Sequence, residues 1–159
     1  GQKKYTFLAI KAILSWKSQM AWIKVDDQPG KKVDLTGLFA MMQAETFGGG
    51  YRVAPGMQPF GDGASIVLGF GLSKLQMLRV MGPLEKGRHV GKWGKVSMEP
   101  CRRFEIKALD SEGEPTDERG HEPPLFISLD GEISMTTPVS FEFHEGQLNV
   151  RGGESPPNV

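Results

Sequence analysis

From Gly94 to Arg151, apolar residues recur at every second position in short runs, and most runs end at Pro, Asp-Gly or Glu-Gly. A period of two puts alternate side chains on opposite faces of an extended strand, so this half of the chain cannot fold as a helix bundle. The runs are Lys95 to Glu99, Arg103 to Ala108, Leu125 to Leu129, Ile133 to Thr137, Val139 to His144 and Leu148 to Arg151. In the second, Phe104, Ile106 and Ala108 share one face; in the fifth, Val139, Phe141 and Phe143 do. Between them, Asp110 to Pro124 is charged and proline-containing, and reads as a flexible surface excursion.

The first half mixes periods. Phe7, Leu8, Ile10, Ile13, Leu14 and Trp16 fall at helical spacing and predict an amphipathic helix over Tyr5 to Lys17. Ala21, Ile23 and Val25 alternate with polar neighbours, and the turn Asp27-Gln28-Pro29-Gly30 predicts a hairpin with Val33 to Gln43. Ala64 to Phe70 reads as a buried strand. Ser73, with Gln76 three residues on, is a capping-box signal for a helix whose expected apolar face is Leu75, Leu78 and Met81. Pro83 lies within that pattern. These elements describe a mainly β fold, a β-sandwich with two short helices. The expected organisation is one domain over 1–151 and a disordered tail over 152–159.

A length of 159 residues suffices for one buried core. Lys plus Arg and Asp plus Glu both number 19, and this balance argues against a general nucleic-acid binder. The single cysteine, Cys101, forms no internal disulfide and fits a reducing compartment. The longest apolar stretch, Phe7 to Trp16, is interrupted by Lys11 and is too short to span a bilayer.

No phosphate loop, no HExxH and no Cys/His cluster occurs, and the three histidines are far apart in sequence. Four weaker signals remain. Gly48 to Gly50 reads as an anion-binding nest or as a tight turn. Gly61-Asp62-Gly63 reads as a hard-cation ligand or as an Asp-Gly turn. Asp130-Gly131-Glu132 reads as a hairpin turn, or as a turn that aims the Glu132 carboxylate at a hydroxyl as a general base. Arg88, His89 and Lys92 read as a basic group at a helix C-terminus or as a site for phosphate.

The order of these segments carries more than any one of them. Phe47-Gly48-Gly49-Gly50-Tyr51-Arg52-Val53-Ala54-Pro55, Asp62-Gly63, Gly87-Arg88-His89, Leu129-Asp130-Gly131-Glu132 and Gly146 to Val150 follow one another. Over roughly residues 5–151 this resembles the C-terminal half of the diacylglycerol kinase and sphingosine kinase family. That family has an N-terminal nucleotide-binding domain with a GGDGT motif and a C-terminal β-sandwich domain. GGDGT is missing here, so the resemblance implies the second domain only. It implies Glu132 as catalytic base, Asp130 near the nucleotide phosphates, and a Mg²⁺ site formed by Asp62 with backbone oxygens of Pro59 and Ala64. Gln43, Gly56 and Gly61 depart from the family's usual Asn and acidic residues.

The function so implied is ATP-dependent phosphorylation of a lipid hydroxyl, of diacylglycerol or sphingoid-base type, with Mg²⁺ and ATP as cofactors. This chain alone is expected to be inactive. The alternative is a non-catalytic lipid- or partner-binding module of the same fold. The implied partners are an N-terminal nucleotide-binding domain in cis or in trans and a lipid substrate at a membrane surface, with no nucleic acid. The implied location is cytoplasmic and peripheral to the membrane. Half of a two-domain protein should also expose the apolar surface its other half covers, and so form a homo-oligomer or dissolve poorly.

Overall fold

The computed structural model describes residues 2–35, 39–47, 50–58, 63–118, 125–129 and 132–144. Helix α1 (Gln2–Ser15) leads into β1 (Met20–Val25), which pairs antiparallel with β2 (Lys31–Asp34). β3 (Phe39–Met42), β4 (Ala64–Gly69), α2 (Lys74–Glu85) and β5 (Val96–Cys101) follow. The chain ends in β6 (Arg103–Leu109), β7 (Pro115–Thr116), β8 (Phe126–Leu129), β9 (Glu132–Thr136) and β10 (Val139–Glu142).

One sheet runs β10-β6-β1-β2, with β7 paired to β6; a second runs β3-β4-β5; β8 and β9 form a two-stranded sheet. The alternation read from the sequence sets the first sheet's inward face. Ala21, Ile23 and Val25 of β1 meet Phe104, Ile106 and Ala108 of β6, and all six are buried with Ile66 and Leu68 of β4. Val139 and Phe141 pack against this core from the edge. All six residues of β4 are buried. Its other face, through Val67, joins a second cluster with Met42, Tyr51, Val53 and Ala54, against which Met81 and Leu84 of α2 pack. The mainly β sandwich with two helices is thus the observed architecture, with α2 over the outer face of the second sheet.

Several local expectations change. The partner of β1 is not one strand over Val33 to Gln43. β2 stops at Asp34, where the Leu35 amide donates to the Gln19 carbonyl at 2.9 Å, and β3 pairs with β4 in the other sheet. The Phe39 ring, 4.9 Å from that of Phe104, gives the reason: it enters the core from the opposite layer. The start of α2 is as expected. The Ser73 hydroxyl accepts from the Gln76 amide, and the Gln76 side chain accepts from the Ser73 amide. Leu75, however, is exposed, because the inward stripe is Met77, Val80, Met81 and Leu84, and Leu75 lies on the opposite side of the helix. Pro83 stays inside α2.

The start of the charged excursion is ordered. Asp110 accepts from the Glu112 and Glu114 amides at 2.9 and 2.8 Å, which folds β7 back onto β6. Lys107 and Asp117 add an ion pair at 2.7 Å. The expected strand from Leu148 and the tail from Gly152 lie outside the described residues.

Candidate functional site

Glu132 is the first residue of β9, opposite Leu129 of β8, so only Asp130 and Gly131 separate the paired positions. Asp-Gly is a pair favoured in two-residue hairpin connections. Asp130 and Gly131 themselves lie outside the described residues. The hairpin's root is fixed: Leu125 is buried in the main core, its carbonyl accepts from the Thr137 amide at 3.2 Å, and Ile127 packs on the same core. Its end is not covered. Glu132 is exposed, and so are Leu129 and Ile133 on either side of it in the hairpin. A carboxylate in this position is open to a molecule arriving from outside the sandwich.

A second assembly joins two of the sequence segments singled out above. Phe47 and Tyr51 form an antiparallel bridge, with amide-to-carbonyl bonds of 2.9 and 3.1 Å, and Gly50 has φ +106°. Gly48 and Gly49 lie outside the described residues. Glu45 ties the rest of this loop together. Its carboxylate accepts from Arg52 Nη2 at 2.6 Å and from the Gly56 amide at 2.8 Å, and its carbonyl accepts from the Ala54 amide at 3.1 Å. The Arg52 hydrogen bond holds the Glu45 carboxyl below its usual range, and the same contact raises Arg52. Sequence reasoning missed Glu45; its only signal was a lone acid seven residues before an arginine in a glycine- and proline-rich stretch.

Gly87 and His89 seal this loop from the other side. Gly87 sits at φ +66°, where a Cβ would lie 3.1 Å from that of Pro55 and 3.4 Å from that of Arg52. His89 is fully buried, and its Nε2 lies 3.0 Å from the Val53 carbonyl oxygen. Burial lowers its pKa, so the ring is neutral at pH 7 and donates through Nε2. The expected basic cluster of Arg88, His89 and Lys92 is therefore corrected: His89 is a neutral core residue, because the 52–55 loop covers it.

Residues 1–152 match the family described as the YegS C-terminal NAD kinase beta sandwich-like domain. The chain belongs to that family. Two solved structures from Bacillus anthracis str. Sterne, each named a "putative diacylglycerol kinase", share its fold. One superposes with a TM-score of 0.60 at 16% identity, over 87% of this chain and 43% of that one. The other gives 0.56 at 15% identity, over 87% and 42%. The YegS C-terminal domain thus spans less than half the length of these two structures. No curated protein matches the sequence.

Within this YegS C-terminal domain, the expected metal set is only partly on view. Asp62 and Pro59 lie outside the described residues, while Ala64 is buried at the start of β4, opposite Cys101. Gly63 precedes it at φ +132°, a conformation glycine adopts without strain. Among the described residues no group of three His, Cys, Asp or Glu gathers as a metal site. One carboxylate and two backbone carbonyls are nevertheless an all-oxygen donor set, the kind Mg²⁺ takes when water completes its shell. Among the described residues, no hydrogen bond joins Glu132 to Ala64 or to the 45–56 loop. A cleft of about 600 Å³ lies elsewhere, between Asp26, Asp27, Arg102, Arg103, Glu142, Phe143 and His144. Asp26 is committed there to the Arg102 and Arg103 amides at 2.8 and 2.6 Å.

Proposed function

We propose that this YegS C-terminal domain is the acceptor-side lobe of an ATP-dependent lipid kinase. The observation that carries the reading is the exposed Glu132 at the uncovered end of a hairpin whose root is anchored in the core. A general base must reach a substrate proton directly, and a carboxylate buried in the sandwich could not. Glu132 takes the proton of the lipid hydroxyl as that oxygen attacks the terminal phosphorus of ATP, whose bond to the bridging oxygen breaks so that ADP leaves. Leu129, paired with Glu132 across the hairpin and exposed, offers an apolar neighbour for the acyl or sphingoid chain.

Asp130, two residues before Glu132 in the sequence, would face the nucleotide phosphates. The carboxylate of Asp62 and the carbonyls of Pro59 and Ala64 would hold Mg²⁺, which supplies neutralisation of phosphate charge when bound. The nucleotide itself belongs to a second domain, supplied in cis or in trans, since the chain has no glycine-rich phosphate loop of its own.

The test is an assay with labelled ATP and vesicles carrying diacylglycerol or a sphingoid base. The chain joined to a nucleotide-binding half of the family should form phospholipid, and the 159-residue chain alone should not. Turnover by the isolated chain, or full turnover by the joined protein carrying Glu132→Gln, would refute the reading.

A further inference from the structure

The hairpin that carries Glu132 is not regular. Phe126 pairs with Thr136 and Ile127 with Met135, but Ser128 then pairs with Ile133 and Leu129 with Glu132. β9 therefore uses one residue more than β8 over the same ladder, and in this register Ser134 has no residue opposite it. Such a bulge bends the strand that holds it and increases its twist. Unbroken pairing would run Ser128 with Ser134 and Leu129 with Ile133, and would leave Glu132 in the connection. The shift instead makes Glu132 a paired strand residue, with only Asp130 and Gly131 between it and Leu129.

The bulge sits at the joint between two unlike parts of the hairpin. On one side the strands are fixed: Leu125 and Thr137 are buried, and Ile127 packs on the main core. On the other side Leu129 is 42% exposed and Ile133 72%, and Glu132 is exposed as well. Burial thus fixes the root, and the backbone at the bulge sets the direction of the end. The two pairs beyond it, Ser128 with Ile133 and Leu129 with Glu132, turn together with that bend.

We propose that the extra backbone unit at Ser134 is a positioning element that aims the Glu132 carboxylate at the acceptor hydroxyl. Ser134 acts through Glu132 and touches no substrate. The inference rests on the general-base reading above and adds to it the element that orients the base. A general base works only within hydrogen-bond reach of the proton it takes. A misplacement of about 1 Å can cost about 100-fold in rate.

The test assays the chain joined to a nucleotide-binding half, with labelled ATP and diacylglycerol vesicles. Deleting Ser134 keeps Glu132 opposite Leu129 and removes the bend. An alanine inserted between Ile127 and Ser128 gives Ser134 a partner and removes the bend by the opposite route, so the test survives if either variant fails to fold. Each realigned protein should lose about tenfold or more in kcat, with the KM for ATP nearly unchanged. Ser134→Ala keeps the extra backbone unit and should keep the rate. Because the bulge acts through Glu132, Glu132→Gln should cost less in the realigned proteins than in the parent. Full kcat after realignment, or losses that simply multiply with that of Glu132→Gln, would overturn the proposal and leave the general-base reading standing. Turnover that Glu132→Gln leaves intact, or no turnover by the joined protein, would overturn that reading and this inference with it.

Discussion

The Nε2 of His89 lies 3.0 Å from the carbonyl oxygen of Val53, and no part of the His89 side chain reaches solvent. Its Nδ1 has no hydrogen-bond partner among the described residues. The neutral ring donates through Nε2 and leaves Nδ1 as a bare acceptor; a second proton there would be buried without a partner. Because burial depresses the folded-state pKa below the unfolded value near 6.5, the unfolded chain takes up the proton first as pH falls. Stability from this group is complete above about pH 6.5 and is lost below it, by at most about 1.4 kcal/mol per pH unit. Calorimetric melting from pH 7.5 to 5 should show this decline, and His89→Asn should flatten it while lowering the starting stability.

Gly87 and Gly91 provide a matched pair. Both have positive φ, +66° and +79°, so alanine at either position meets about 1–2 kcal/mol of backbone strain. Only at Gly87 would the new methyl press on Pro55 and Arg52, while space around Gly91 is open. Chemical denaturation should find Gly87→Ala less stable than Gly91→Ala by roughly 1 kcal/mol, the cost of crowding a packed junction. Equal losses would mean that the 52–55 loop moves aside freely.

How much of this was legible in the sequence depends on the distance over which each feature is decided. The alternation in β6 and the Ser73 capping box are set within a few residues, and both read correctly. The burial of His89 is set by Val53, 36 positions away, and no local pattern carries it. The spacing in α1 showed apolar residues at helical intervals. Which side meets the core was settled by Tyr51, Leu72 and Met77, so the inward stripe fell on Thr6, Ala9 and Ile13 instead. At the candidate site, the antiparallel pairing of β8 with β9 was legible from Asp-Gly between two apolar runs. The acid that braces the 45–56 loop, Glu45, was not, because its partners, the Arg52 guanidinium and the Gly56 amide, lie seven and eleven positions on with no pattern to link them.

Phe104 is the largest side chain at the centre of the main core. It is 2% exposed and touches Phe39 across the layers. Phe104→Ala should cost about 3–5 kcal/mol, from lost transfer energy plus the cavity left between two sheets that cannot close fully. Trp22, on the outer face of β1, is a useful contrast. Its ring stacks under Lys107 and over Gly30, at the surface, so Trp22→Ala should cost clearly less in the same urea titration.

Glu132 separates chemistry from folding. Its side chain is exposed at the end of the β8–β9 hairpin, and the residues that hold that hairpin in place, Leu125 and Ile127, lie at the other end. Glu132→Gln keeps shape and removes the charge, so the melting temperature should shift by no more than about 0.5 kcal/mol of stability implies. As a general base, the carboxylate should be worth about 10²–10⁴ in kcat for lipid phosphorylation by the two-lobed protein. The loss should fall on kcat and leave the KM for ATP nearly unchanged, because the proposed mechanism assigns the nucleotide mainly to the other lobe. A raised KM for ATP with kcat preserved would assign Glu132 to nucleotide binding and leave the acceptor hydroxyl without a base.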